Sequence, residues 1–486
     1  MSIRRSLAAA LTPAVLALAL AAGAAAAQQT APPPEPAAAE PKPARTEPAK
    51  VFPFAVHERT LDNGLKVIVI PYDSPGTVAY FTVVRTGSRQ EVEPGHSGFA
   101  HFFEHVMFRG TERYPAEAYN DELRIMGADS NAFTTDDFTN YYIIGPSAEL
   151  PRMMDVESDR FKNLEYGEDA FRTEALAVLG EYNKNASSPY LRMHETLRDL
   201  AFDEHTYEHT TMGFLADIEA MPGYYDYSLS FFDRFYRPEN VVLLIVGDVE
   251  PATVFAMAKK HYGDWERGYQ AVAVAAEPEP EEGRRGHVDW ATPTRPYLMM
   301  GYRAPAFDAG SRDVAALDLL EQLLFSEAAP LYQELVVDRQ WADQLEGEPP
   351  AHRDPYLFTI TARARSNELL PKVEQAIVAA LGELGETPVE PARLERIKSH
   401  LRYDFQLDMD SAGGVASYAA YAINLTGGVE ALNTLYATYE KVTPADVQRV
   451  AKTYFQPQRQ TVVTLSHQEP APPETVDEPA TGSEEE

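Results

Sequence analysis

His101-Phe102-Phe103-Glu104-His105-Val106-Met107-Phe108 places two imidazoles four residues apart. A helix turns about every 3.6 residues, so His101 and His105 share a face, and Glu104 borders it. Two imidazoles at that spacing bite one metal ion, with Glu104 close enough to touch a water bound to it. Phe99, Phe102, Phe103, Val106 and Met107 are apolar enough to bury the helix. Buried histidines beside a buried glutamate want a cation. Ser97 is a candidate N-cap and Gly110 a candidate left-handed stop.

The pattern returns 217 residues later as Asp318-Leu319-Leu320-Glu321-Gln322-Leu323-Leu324-Phe325. Phe138-Thr139 and Leu150-Pro151 return 220 residues later as Phe358-Thr359 and Leu370-Pro371. Tyr236-Arg237-Pro238 before one strand matches Phe455-Gln456-Pro457 before another. So steady a register implies a duplicated α+β domain of about 210 residues. The copy has exchanged both histidines for Asp318 and Gln322, so only the first half is equipped to hold the metal this way.

Around the quoted stretch, Asp62-Asn63-Gly64 joins two strands spanning 57–70, and 78–86 alternates as a third. A helix over 116–126 precedes Asn131-Ala132-Phe133-Thr134 and a strand over 138–144. Helical stretches follow at 148–163, 168–186, 190–200 and 223–235, then a strand over 240–246.

Residues 1–27 read as a signal peptide: Arg4 and Arg5, an uncharged apolar run, then Ala25-Ala26-Ala27. The run is short and Ala-rich, so no stable membrane anchor is expected, and a bacterial periplasm is the expected address. Residues 28–51 are a Pro- and Ala-rich tether, 52–267 the catalytic domain, 268–286 a linker, 287–467 the inactive repeat, and 468–486 an acidic tail. Lys plus Arg total 42 against 74 Asp plus Glu, a net charge of −32, which argues against nucleic acid or anionic membrane as partner. With no cysteine in the chain, a zinc ion would have to be held by His and carboxylate.

Catalytic zinc usually takes three protein ligands and leaves a position for water. The best third donor lies on the helix at 168–186, where Glu174 and Glu181 share a face with Phe171 and Val178. Each glutamate qualifies. An amphipathic helix with solvated acids fits the same spacing. Gly180, poor in mid-helix, is expected to permit close approach to the metal helix.

Gly98 to Thr111 resembles the H-x-x-E-H signature of the pitrilysin family of zinc peptidases, which includes the mitochondrial processing peptidase. The resemblance spans residues 52–465 and implies two homologous α+β domains, each an antiparallel sheet flanked by helices. It implies Glu181 as the third ligand of one Zn²⁺ per chain, Glu174 as an outer partner of the ligands and Glu104 as general base. Through Gly127 to Thr134 it implies an edge strand at Asn131, Ala132 and Phe133 that pairs with extended peptide.

Family members that act alone usually carry an Arg and, seven residues on, a Tyr in the second half. Val336 and Asp343 stand there instead. The expected function is therefore a zinc-dependent endopeptidase acting as catalytic subunit of a heterodimer. Its homologous partner would lack H-x-x-E-H and supply the Arg and Tyr; a homodimer is the alternative. A non-catalytic scaffold or assembly subunit is the competing function. His96, His194, His205 and His209 read as surface or structural, with His194 and His209 able to border the cleft. Tyr224, Tyr225 and Tyr227 read as packing.

Overall fold

The structure, a computed structural model, describes residues 50–467. The signal peptide, almost all of the tether and the acidic tail lie outside the described residues. Among those described, no helix is long and apolar enough to cross a membrane.

The described residues form two sheets. The first comprises β1 (His57–Thr60), β2 (Lys66–Pro71), β3 (Thr77–Val84), β4 (Asp129–Thr134), β5 (Thr139–Pro146) and β6 (Val241–Gly247), in the order β1-β2-β6-β3-β5-β4. The second comprises β7 (Arg284–Asp289), β8 (Tyr297–Ala304), β9 (Ala342–Glu348), β10 (Tyr356–Ala364) and β11 (Gln460–Ser466), in the order β7-β11-β8-β10-β9. Without β1 the first order maps onto the second strand for strand, as the repeat predicts. The sheets are antiparallel except for one parallel pair in each, β2 with β6 and β7 with β11. These pairs bring together segments far apart in sequence, and no local turn signal announces them.

The helices that position the site are α1 (Phe99–Val106), α2 (Glu168–Ala186), α3 (Pro189–Ala201), α4 (Arg312–Phe325) and α5 (Ala412–Thr426). Two further helices, Leu215–Ala220 and Pro251–Tyr262, lie in stretches where none is predicted. At the Asp62-Asn63-Gly64 turn Gly64 takes φ +93°, and Asn63 Nδ2 donates to the carbonyls of Tyr262 and Trp265 at 2.7 and 3.0 Å.

Central strands such as Val241–Gly247 are buried along their whole length, so each sheet must be covered on both faces. One face of the first sheet packs on its own helices, with Tyr80, Tyr141 and Ile245 against Phe102 and Phe103. The opposite face, with Ile70, Phe81 and Leu244, is covered by α5 of the second half. Reciprocally, Met193 and Leu197 of α3 cover Met299, Val463 and Leu465 in the second sheet. Each half lends the other a helix, so the two interlock.

A polar junction completes the union. In the loop before β10, His352 Nε2 meets Asp136 Oδ2 at 3.0 Å, and the Arg353 N–H donates to Asp137 Oδ2 at 3.1 Å. Asp354 accepts from Arg89 Nε at 2.6 Å and meets His205 Nε2 at 2.9 Å. The expected linker is fastened too. Glu277 accepts the backbone N–H groups of Asp203, Glu204 and His205, each at 2.9 Å, and β7 begins inside it, at Arg284.

Candidate metal centre

Helix α1 is held from a side that the local sequence does not announce. Gly98 occupies the N-cap position with φ +91°. Added there, a Cβ would stand 2.7 Å from the Met212 carbonyl oxygen. Ser97 does not cap the helix: its Oγ donates to Asp217 Oδ2 at 2.6 Å and accepts the Phe214 N–H at 2.8 Å. The helix N–H groups go to Glu91, a buried carboxylate that accepts from Gly98 N at 2.8 Å and Ala100 N at 2.7 Å. Such a group satisfies donors a helix start leaves orphaned. Gly110 has φ +89° but follows a 3₁₀ turn over Met107–Arg109, so it ends that turn and not the helix proper.

His101, His105 and Glu181 converge, each offering one ligand atom, with these atoms all within 4.8 Å of one another. His105 Nε2 lies 3.2 Å and His101 Nε2 3.7 Å from Glu181 Oε2. Zinc bonds of about 2.0–2.2 Å in a tetrahedron put ligand atoms about 3.3–3.6 Å apart, so the three fit one such ion. Two imidazoles and a carboxylate are also a donor set that leaves a fourth position for water.

The electrostatics agree. Burial pulls His101 down to about 4, helped by the neighbouring His105 and opposed by Glu181. The imidazole is then neutral near pH 7 with a lone pair to give. A hydrogen bond from His105 holds Glu181 below the ordinary carboxylate range, against the effect of burial.

Glu104 is raised by burial, opposed by the Thr134 hydroxyl, which donates to its Oε2 at 2.7 Å. Behind His105, Glu174 Oε2 lies 3.7 Å from Nδ1 while its other oxygen is paired with Arg109. Sequence reading overlooked both Arg109 and Thr134. Gly180 plays no part in helix approach: it is exposed, and a Cβ there would meet nothing within 4 Å.

Among the described residues, strand β4 pairs with β5 alone, and its other side is an open sheet edge beside Glu104. Asn131 Oδ1 folds back onto the Ala132 N–H at 2.9 Å. Ala132 is buried, and the Phe133 ring stacks on Tyr421 of the second half with centroids 6.2 Å apart.

In the second half, Asp318 of α4 accepts from Tyr439 Oη at 2.6 Å, and Gln322 donates to Glu321. Asp343 is paired with Arg295 and with Arg363. Arg339 is held by Glu334 at 2.7 Å and lies over the Trp341 ring.

His205 and His209 are buried, and His194 lines a cavity between the halves. Tyr224 and Tyr227 pack their rings on His96, and Tyr225 donates to the Tyr166 carbonyl.

The description "Insulinase (Peptidase family M16)" matches residues 67–214, and "Peptidase M16 inactive domain" matches residues 225–401. Zinc protease PqqE of Helicobacter pylori is 28% identical over 424 residues, covering 84% of this chain and 91% of that one. Mitochondrial-processing peptidase subunit beta of Lentinula edodes is 24% identical over 419 residues, covering 82% and 86%. The crystal structure of a protease from Helicobacter pylori superposes with a TM-score of 0.80 at 28% identity, covering 85% of this chain and 99% of that one.

Proposed function

The chain belongs to the M16 family of peptidases, and on that premise we propose that it is a zinc-dependent endopeptidase cleaving extended peptides. The observation that carries this is the convergence of His101, His105 and Glu181 beside the Glu104 carboxylate. These three residues would hold one Zn²⁺, which when bound acidifies a water and polarises a carbonyl.

Glu104 is the general base: its carboxylate takes a proton from the attacking water and later hands it to the leaving amine. Thr134 fixes the carboxylate that does so. Glu174, anchored by Arg109, orients His105 through Nδ1. The β4 edge at Asn131, Ala132 and Phe133 receives the peptide as an added strand, which holds the scissile bond in register. Export to a periplasm is supported by the basic start and apolar run of residues 1–27.

The partner is a homologous chain without H-x-x-E-H. Support comes from the second half, where Val336 offers no charge, Asp343 is tied to two arginines, and Arg339 is engaged elsewhere. The same observation favours the competing reading, a scaffold that keeps the peptidase fold. Metal content and cleavage of a quenched-fluorescence peptide, with and without such a partner, separate the two. Zinc and cleavage in either sample support the enzyme; zinc-free protein with no cleavage in both supports the scaffold.

A further inference from the structure

The second half keeps a cavity where the first has its candidate metal centre. Glu321 and Gln322 of α4, the counterparts of Glu104 and His105, line it, and so does β9, the counterpart of β4. Its third wall is the helix Pro391–Asp408. The buried residues Phe171, Ala175, Val178 and Tyr182 of α2 recur there as Leu394, Lys398, Leu401 and Phe405, each 223 residues later. That register sets Ile397 at the place of Glu174 and Asp404 at the place of Glu181, and Asp404 meets His400 Nε2 at 3.2 Å. The cavity measures about 640 Å³, within the size range of ligand pockets, about 300–1,000 Å³.

What this helix brings to the cavity is positive charge. Arg393, Arg396, Ile397 and His400 follow the spacing of one helix face, and all four line the space. Arg396 is exposed and Arg393 half-buried, so both are open to water. Neither arginine forms an ion pair among the described residues. Arg393 donates to the Leu323 carbonyl at 2.7 Å, and the Arg396 side chain makes no hydrogen bond among the described residues. Burial, and secondarily Arg396, pulls Arg393 below the ordinary arginine range, against Glu390. Two guanidiniums side by side, without a carboxylate to pair either, offer planar forks that match an oxyanion.

The rest of the cavity narrows the choice of oxyanion. Glu327 and Glu346 also line it and would repel a multiply charged one such as phosphate. Strand β9 contributes Asp343 to Glu346 and, among the described residues, pairs with β10 alone, so an open sheet edge borders the cavity. Such an edge takes an extended backbone as an added strand. A single carboxylate at the end of an extended chain answers both features.

We infer that this cavity is a second, non-catalytic peptide site, which takes the free C-terminus of an extended peptide, its carboxylate on Arg393 and Arg396 and its backbone along β9. The inference goes beyond the peptidase reading and does not depend on it, since the site would serve an enzyme or a scaffold alike.

The test uses the full chain carrying Glu104→Gln, so that the first half does not consume the probe. The probe is a hexapeptide of alternating Thr and Val with tetramethylrhodamine on its N-terminus, made once with a free C-terminal carboxylate and once as the carboxamide. Binding is read by fluorescence anisotropy. The carboxylate form should bind about tenfold more tightly, the worth of one charge-assisted hydrogen bond. Arg393→Met and Arg396→Met should each bring that ratio towards one, and Arg396→Lys should keep part of it. A ratio within one preparation does not depend on how much variant protein is folded. Equal affinities in the parent chain, no binding of either form, or a ratio unmoved in both Met variants overturns the site. Zinc content and peptide cleavage, measured on the chain that keeps Glu104, decide the peptidase reading separately.

Discussion

Glu91 accepts the backbone N–H of Ala100 at 2.7 Å, reaching across from outside the helix to the residue that immediately precedes His101. Its second oxygen accepts from Gly98. Removing it leaves two buried donors unmatched, at about 1–3 kcal/mol each. Glu91→Ala should therefore lower unfolding stability by about 2–6 kcal/mol, read from the urea midpoint. It should also weaken zinc binding, because His101 sits in the turn that Glu91 anchors.

The same carboxyl predicts a stability that falls as pH rises from acid to neutral. Burial lifts it to about 8 in the fold, against backbone N–H groups that pull the other way, from an ordinary value of 4.5. Between about 4.5 and 8 the folded chain keeps a proton that the unfolded chain has lost, so stability falls as pH rises, by up to about 1.4 kcal/mol per unit. Urea unfolding across that window should show this fall in the wild type and a flatter profile in Glu91→Gln.

Glu104→Gln should retain zinc while kcat drops by about 10²–10⁴, the usual worth of a general base. Normal turnover by this variant would assign the proton transfer to another group.

Arg109→Met should lower zinc affinity by about 10–100-fold, since Arg109 holds the glutamate that faces His105. Arg109→Lys, which keeps the charge, should recover part of it. Competition with a chromogenic chelator reads both.

The junction between the halves should be acid-sensitive. His205, with Arg89, holds Asp354 down at about 2, against burial, from an ordinary 3.8. Its contribution is complete above about 4 and is lost as pH falls towards 2. The stability difference between wild type and Asp354→Asn, measured by denaturant unfolding, should shrink over that interval.

Much of the site was legible because helical period is a local signal. His101, Glu104 and His105 need only one turn of helix, and the face shared by Glu174 and Glu181 was visible in the spacing around Phe171 and Val178. The duplicated order of strands followed from the repeat. What escaped depends on distant segments meeting. Glu91 caps a helix whose own flank offers Ser97, a residue better placed by sequence but claimed by Asp217 and Phe214. The pairing of β2 with β6, the exchange of α3 and α5 between sheets, and the fastening of Glu277 all join residues that no local pattern links. Gly180 was misread because an open glycine and a crowded one look alike in sequence.

The most direct test of the account is elemental analysis of zinc in the purified chain and in its His101→Ala and Glu181→Ala variants, each checked for native unfolding behaviour. The account predicts one zinc per wild-type chain and a loss of stoichiometric zinc in both variants. A zinc-free wild type, or variants that keep a full complement, would contradict it.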